Sequence, residues 1–239
     1  MTNKTALVTG SSSGIGQAIT EALLNDGHNV IGLARDHGKF KPRYGSYHPI
    51  TVDLSDIENT ETMVYSLLNE YPDISIFIGN AGYGDFKHLE NFSSLQIKDF
   101  LITNLVSQII LCRHLITYLK RKGAGDIIFM GSEAALAGKK NATLYSTAKF
   151  GLRGFAQALR DEVRTSGVRV CLINPGLVRT PFFETLNFEP GQLENNAIEP
   201  KDIAKIVIEI LNTRTGTNID EINLSPSSQL IKFLSLIHI

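Results

Sequence analysis

Tyr145 and Lys149 stand four residues apart in Tyr145-Ser-Thr-Ala-Lys149, a spacing that puts both side chains on one face of a helix. A phenol ionises near ~10, too high for efficient proton exchange at neutral pH. An ammonium beside it favours the phenolate and should bring that value down. The pair could then give a proton to a carbonyl oxygen or take one from an alcohol. Leu152, Ala156 and Leu159 share that face, where a lysine would not otherwise be expected. Ser132 follows the apolar run Asp126-Ile-Ile-Phe-Met-Gly131, which places it at the carboxyl edge of a sheet. There its hydroxyl can hold and orient a substrate oxygen.

A second group of residues points to a nucleotide. Thr9-Gly10-Ser-Ser-Ser-Gly14-Ile15-Gly16 joins an apolar run to a helical one. Glycines permit a tight turn and the close approach of a pyrophosphate, which the exposed N–H groups and the helix dipole then attract. Gly10, Ser12, Ser13, Gly14, Ile15 and Gly16 are the candidate contacts. A structural turn would look alike in isolation. The strand before this one and the helix after it supply the context that phosphate binding needs.

The spacing Gly-x-x-x-Gly-x-Gly, with Ser132 and Tyr145-x-x-x-Lys149 in order behind it, resembles the short-chain dehydrogenase/reductase family in its short single-domain type. The resemblance runs from Thr5 to about Ser225. It implies a Rossmann fold, a nicotinamide cofactor and hydride transfer to or from a carbonyl or alcohol. It implies a catalytic role for Asn104, holding a water that relays protons to Lys149, and second, cofactor-binding roles for Tyr145 and for Lys149, the latter on the nicotinamide ribose. Asp53, with Leu54, would meet the adenine, although Asp53 has a competing reading as a local cap. Asn80-Ala81-Gly82 would let the backbone lie against the cofactor, with Asn80 either binding or structural. Pro175 and Gly176 would turn Val178 and Thr180 toward the nicotinamide carboxamide. Pairing of subunits through the helices carrying Asn104 and Tyr145 is implied as well, hence a homodimer or homotetramer.

The end of the second strand bears on the choice of nicotinamide. A carboxylate there would bind a ribose 2′-hydroxyl and repel a 2′-phosphate. In Val30-Ile-Gly-Leu-Ala34-Arg35-Asp36 the family's usual acidic position holds Ala34, and Arg35 follows. A guanidinium grips a phosphate bidentately, and Lys39, Lys41 and Arg43 add positive charge nearby. Asp36 cuts the other way, unless its side chain points away from that of Arg35. NADP(H) is therefore favoured over NAD(H).

These residues need elements to hold them. Strands are expected at 6–9, 29–34, 47–53, 74–79, 126–131, 169–173 and 219–224. Helical periodicity lies between them: Ile15, Ala18, Ile19, Ala22 and Leu23 on one helix, and Leu101, Leu105, Ile109, Cys112, Ile116 and Leu119 on another. Ser55-Asp-Ile-Glu58 has capping-box form and should open the helix that runs to about Glu70. Apolar strands alternating with helices predict an α/β fold, a doubly wound and mainly parallel seven-stranded sheet in one domain over 1–239. Its ligand crevice lies at the carboxyl ends of the strands. The segment 181–199 is expected as a flexible lid over the substrate, with Phe182, Phe183, Leu186 and Phe188 as an apolar cover. Tyr83, Phe86 and Leu136 are further candidate pocket residues.

The balance of 23 basic against 24 acidic residues gives no bulk field to recruit nucleic acid or anionic lipid. Six histidines are scattered without ligand spacing, so no metal is expected. Cys112 and Cys171 lie in apolar runs and read as free thiols of a reducing compartment. Nothing resembles a signal segment or a membrane span. Cytoplasm is the expected address, and the apolar tail from Gln229 is expected to pack or to contact a subunit. The alternative is a non-catalytic NADP(H)-sensing or partner-binding protein on the same scaffold; a third reading is isomerisation on that scaffold. The intact set of Tyr145, Lys149, Ser132 and Asn104 counts against the sensor.

Overall fold

The computed structural model describes residues 3–38 and 40–234. Lys39, and the tail beyond 234 with His238, lie outside the described residues. Seven strands form one parallel sheet: β1 (Thr5–Thr9), β2 (Asn29–Ala34), β3 (Tyr47–Thr51), β4 (Ile74–Gly79), β5 (Gly125–Met130), β6 (Val168–Pro175) and β8 (Glu221–Leu224). Their order is β3-β2-β1-β4-β5-β6-β8. The chain therefore reverses its winding between β1 and β4, which opens a crevice at the strands' carboxyl ends.

Because successive strand residues face opposite ways, β1 feeds two cores. Leu7 joins Ile31, Phe77, Leu111, Leu115, Phe129 and Leu152 under α2 (Ile57–Glu70), α4 (Ser107–Lys122) and α5 (Thr143–Val163). Ala6 and Val8 join Ile19, Leu23, Ile203 and Val207 under α1 (Gly14–Asn25) and α6 (Pro200–Asn212). Both faces of the sheet are dry, which is why its strands read as unbroken apolar runs.

Three local features depart from expectation. Asp56, not Ser55, caps α2, its side chain accepting from Asn59 N–H at 3.0 Å; Ser55 instead donates from N–H and hydroxyl to Asp53. The helix across 94–122 is broken by a π turn, Ile102–Val106, between α3 (Ser94–Leu101) and α4. The extra residue rotates everything after it. The buried stripe is consequently Asn104, Ser107, Gln108, Leu111, Cys112, Leu115 and Leu119, while Ile109 and Ile116 are only half-buried. On length and apolar content this helix could cross a membrane, but its inner face packs on the sheet as a core element. Finally, the lid is not wholly irregular: β7 (Phe188–Pro190) pairs antiparallel with β9 (Ile231–Phe233) from the C-terminal segment.

Candidate active site

The crevice is a cleft of about 1600 Å³ running from the glycine turn, past the ends of β4 and β5, to the lid. At its first end the backbone does the shaping. Gly10 has φ +66°, and a Cβ on Gly16 would collide with the carbonyl oxygen of Gly10. Gly10, Ser12, Ser13, Gly14 and Ile15 line the cleft, and Ser13 caps α1 without any side-chain bond to its N–H groups. The first turn of α1 thus has no side-chain cap on its N–H groups where Ser13, Gly14 and Ile15 line the cavity, an arrangement suited to a phosphate anion. Gly16 is buried beneath the turn, where it permits close packing and makes no part of the wall.

Thr9, which the sequence reading passed over, locks this turn to the next strand. Its hydroxyl accepts from the N–H groups of Asn80 (2.8 Å) and Ala81 (2.9 Å). Asn80 donates its amide to the Thr9 carbonyl at 2.9 Å, so this side chain is engaged structurally. Gln108 donates to the Ala81 carbonyl at 3.2 Å from the buried face of α4. Below the turn, Tyr47 bonds Ser11 and His37 at 3.0 and 2.9 Å. Thr9 precedes the first glycine directly, and that adjacency was the available clue.

Arg35, Asp36, Asp53 and Leu54 line the outer part of the cleft, with Ala81 and Gly82 further in. Arg35 is exposed and makes no ion pair among the described residues. The Asp36 carboxylate turns onto its own loop, accepting from Gly38 N–H at 2.7 Å. Asp53 accepts from both donors of Ser55, which hold its carboxyl below the usual value, so the capping role is realised. Lys41 and Arg43 are exposed away from the cleft wall.

At the other end Ser132, Tyr145 and Lys149 converge as expected from their spacing. Ser132 Oγ accepts from Ala134 N–H at 3.1 Å, and Ser132 N–H donates to Asn174 Oδ1 at 3.3 Å. Lys149 is buried, its Nζ 2.9 Å from the Met130 carbonyl it donates to and 5.7 Å from the Tyr145 ring centroid. Burial lowers its pKa to about 8. Tyr145 departs from the expected direction: burial, partly offset by the Ser132 hydroxyl, pushes its pKa up to about 12. Desolvation of the phenolate outweighs the Ser132 hydrogen bond, and the nearby Glu133 carboxylate adds to the rise. Asn104 is buried inside the π turn, its Oδ1 accepting from Tyr83 N–H at 3.1 Å and its Nδ2 donating to the Phe100 carbonyl at 3.0 Å.

Behind Ser132 lies a polar brace that no local sequence pattern announces. Asn174 donates to Glu221 at 2.8 Å, and Glu221 accepts from Arg153 on α5 at 3.1 Å. The helix bearing Tyr145 is therefore tied through β8 to the loop bearing Ser132. Pro175, Gly176, Val178 and Thr180 line the cleft beside them. Tyr83, Phe86, Phe182, Phe183 and Phe188 are also on its wall, whereas Leu136 and Leu186 are not. Leu136 ends a one-turn helix on the solvent side and is exposed. Arg179 points into the lid, donating to the carbonyls of Gly191 (3.2 Å) and Leu193 (3.1 Å). Among the described residues no cluster suited to a metal occurs.

Residues 4–190 match the short chain dehydrogenase family. A 3-oxoacyl-[acyl-carrier-protein] reductase, FabG, of Haemophilus influenzae is 34% identical over 90% of this chain and 93% of its own. Sepiapterin reductase of Chlorobaculum tepidum is 27% identical over 93% and 96%. The alcohol dehydrogenase of the archaeon Thermococcus sibiricus, solved with 5-hydroxy-NADP, superposes with a TM-score of 0.85 at 25% identity, covering 97% of this chain and all of that one. A metagenomic short-chain oxidoreductase solved with NADP gives 0.79 at 25% identity over 95% and 98%. With the glycine turn, the parallel sheet and the Ser132–Tyr145–Lys149 convergence already in view, the chain belongs to the short-chain dehydrogenase family and is a nicotinamide-dependent oxidoreductase.

Proposed function

We propose that the protein is an NADP(H)-dependent reductase or dehydrogenase of carbonyl or alcohol compounds, with Tyr145 as the group that gives or takes the proton. The observation that carries this reading is the meeting of Tyr145, Lys149 and Ser132 in the cleft that begins at the phosphate-binding turn. The turn fits the cofactor: Gly10 and Gly16 leave room where a Cβ would intrude, and the α1 N–H groups await an anion. Gly10, Ser12, Ser13, Gly14 and Ile15 hold its phosphates, with Gly16 beneath them. Asp53 and Leu54 meet its adenine, Asn80, Ala81 and Gly82 its middle, and Pro175, Gly176, Val178 and Thr180 its carboxamide end. When bound, the nicotinamide supplies or accepts the hydride.

The protein residues manage the oxygen and its proton. Ser132 holds the substrate oxygen by hydrogen bond. A tyrosine with its pKa near 12 is fully protonated at neutral pH, the state required to protonate that oxygen during reduction. Its developing phenolate is balanced by Lys149, whose ammonium also orients the ribose. Asn104, fixed at both ends of its amide, marks the π turn at which a proton-relaying water would sit; such turns recur at functional sites. Residues 181–199 cover the acceptor.

Arg35 supports NADP(H) over NAD(H). It stands on the cleft wall with no carboxylate in salt-bridge contact among the described residues, only the longer-range charge of Asp53, and Asp36 is turned away onto Gly38. The NADP-containing relatives point the same way. Large apolar side chains exposed on α3 and α5, Leu95 and Phe150, support pairing of subunits through those helices; a monomeric mass by light scattering would overturn it. The buried free thiols Cys112 and Cys171 support a reducing, cytoplasmic setting. The test of the whole reading follows NADPH absorbance with ketones, aldehydes, 3-oxoacyl thioesters and quinones. Tyr145→Phe should lower turnover about 10³-fold while leaving NADPH affinity within about twofold. Undiminished turnover in that variant would overturn the mechanism, and NADPH binding without turnover on any acceptor would favour a sensor.

A further inference from the structure

The acceptor side of the cleft has a wall that the lid supplies only in part. From Tyr145 a row of rings leads outward: Phe86 lies 5.1 Å from Tyr145, Phe188 lies 5.2 Å from Phe86, and Phe233 lies 6.4 Å from Phe188, centroid to centroid. All four line the cleft. Phe233 belongs to the C-terminal segment and is 73% exposed, with Ile231 beside it 41% exposed. An aromatic ring that open to water, continuous with a catalytic cleft, is surface that an apolar ligand would cover.

The segment is held in place by specific bonds. Phe233 pairs with Phe188 and Ile231 with Pro190 in the β7–β9 ladder. Gly191 N–H donates to the Leu230 carbonyl and Leu234 N–H to the Asn187 carbonyl, both at 2.8 Å. Asn196 donates to the Ser228 carbonyl at 3.0 Å. Gln229 donates to the Glu133 carboxylate at 2.9 Å, one residue from Ser132. The backbone that carries the outer ring is therefore anchored to the lid and, through Gln229, beside Ser132.

We propose that Gln229–Phe233 is a specificity element, and that the protein acts on elongated apolar carbonyl compounds whose tail lies along Phe86 and Phe188 and ends against Phe233. This rests on the reading of the cleft given above for its reacting end only. The row is too long for a small ketone to fill, so length is the property it selects. Each methylene that becomes buried along it should improve kcat/KM, by about fourfold when burial is complete.

The experiment uses straight-chain methyl ketones from butanone to decanone with NADPH, and measures in parallel their calorimetric Kd for the NADP⁺-loaded protein. In the wild type both should improve with length. Phe233→Ala, at an exposed position where folding is not at stake, should weaken decanone about five- to tenfold and leave butanone within about twofold. Values independent of length, or an equal loss for every ketone, would overturn the proposal while leaving the catalytic reading intact. Length-dependent binding, flattened by Phe233→Ala but without turnover in the wild type, would support this wall and sink the catalytic reading instead.

Discussion

The two ends of the cleft are built from different material. At the cofactor end, the working groups are main-chain: the N–H groups of the first turn of α1 and the Gly10 and Gly16 approaches, with the Thr9 side-chain hydroxyl clamping the backbone of Asn80 and Ala81 beneath them. At the acceptor end, they are side chains: Tyr145 and Lys149, whose pKa values burial raises to about 12 and lowers to about 8, and the aromatic row that leads from them to the surface. A backbone site tolerates almost no added atoms but needs no titratable group. A side-chain site can be retuned one residue at a time, at a cost in desolvation.

Three measurements would sharpen or break that contrast. The largest effect is expected from Gly16→Val. With its Cβ driven into the Gly10 carbonyl, the turn must shift, and NADPH affinity read by fluorescence titration should fall about 100-fold or more. Retention within threefold would show that the turn is not rigidly built. Next, Arg35→Ala removes the one cationic side chain assigned to the adenosine part of the cofactor end. NADPH should weaken about tenfold or more, as for a lost charge-assisted bond, and NADH hardly at all. Equal losses would return Arg35 to the solvated surface.

The smallest effect is on stability, at the other end. Lys149 is lowered from 10.5 to about 8 by burial, so below pH 8 both folded and unfolded chains hold its proton and the fold bears the full desolvation cost. Between pH 8 and 10.5 the folded chain releases the proton first, and the cost disappears. The displacement corresponds to about 3 kcal/mol, less about 1 kcal/mol for the Met130 carbonyl left without its donor in the variant. Lys149→Met should therefore raise Tm at pH 7 by about 4–8 °C, an advantage that shrinks steadily from pH 8 toward 10.5. A constant difference across that range would mean that Lys149 is not desolvated.

The contrast also explains what could be read from the chain. Glycine at positions 10, 14 and 16 is demanded by local backbone geometry, and the strand-to-helix context lies within a few residues, so the cofactor end was legible. The seven strands, and the convergence of Ser132 with Tyr145 and Lys149, followed from period and topology. The rest depended on distant partners. Arg153 meets Glu221, and Gln229 meets Glu133, across 68 and 96 residues; no local pattern announces either. The sign of the Tyr145 shift depended on how deeply the ring is enclosed, which residue types do not encode. The stripe on α4 was not legible because its buried side opens with the polar Asn104, Ser107 and Gln108, while the apolar Leu105, Ile109 and Ile110 are only half-buried, which hid the added residue of the π turn.

That turn bears on which length changes the gene can accept. Deleting one residue within Ile102–Val106 would restore a regular helix and remove a locally unfavourable segment. It would also rotate Ser107–Lys122 by about 100° relative to α3, carrying Leu111, Leu115 and Leu119 off the sheet or Asn104 out of the cleft. A one-residue deletion that improves the helix would thus destroy the protein. Indels in this helix should be purged in descent, whereas the exposed loop around Lys41–Ser46 should accept them freely.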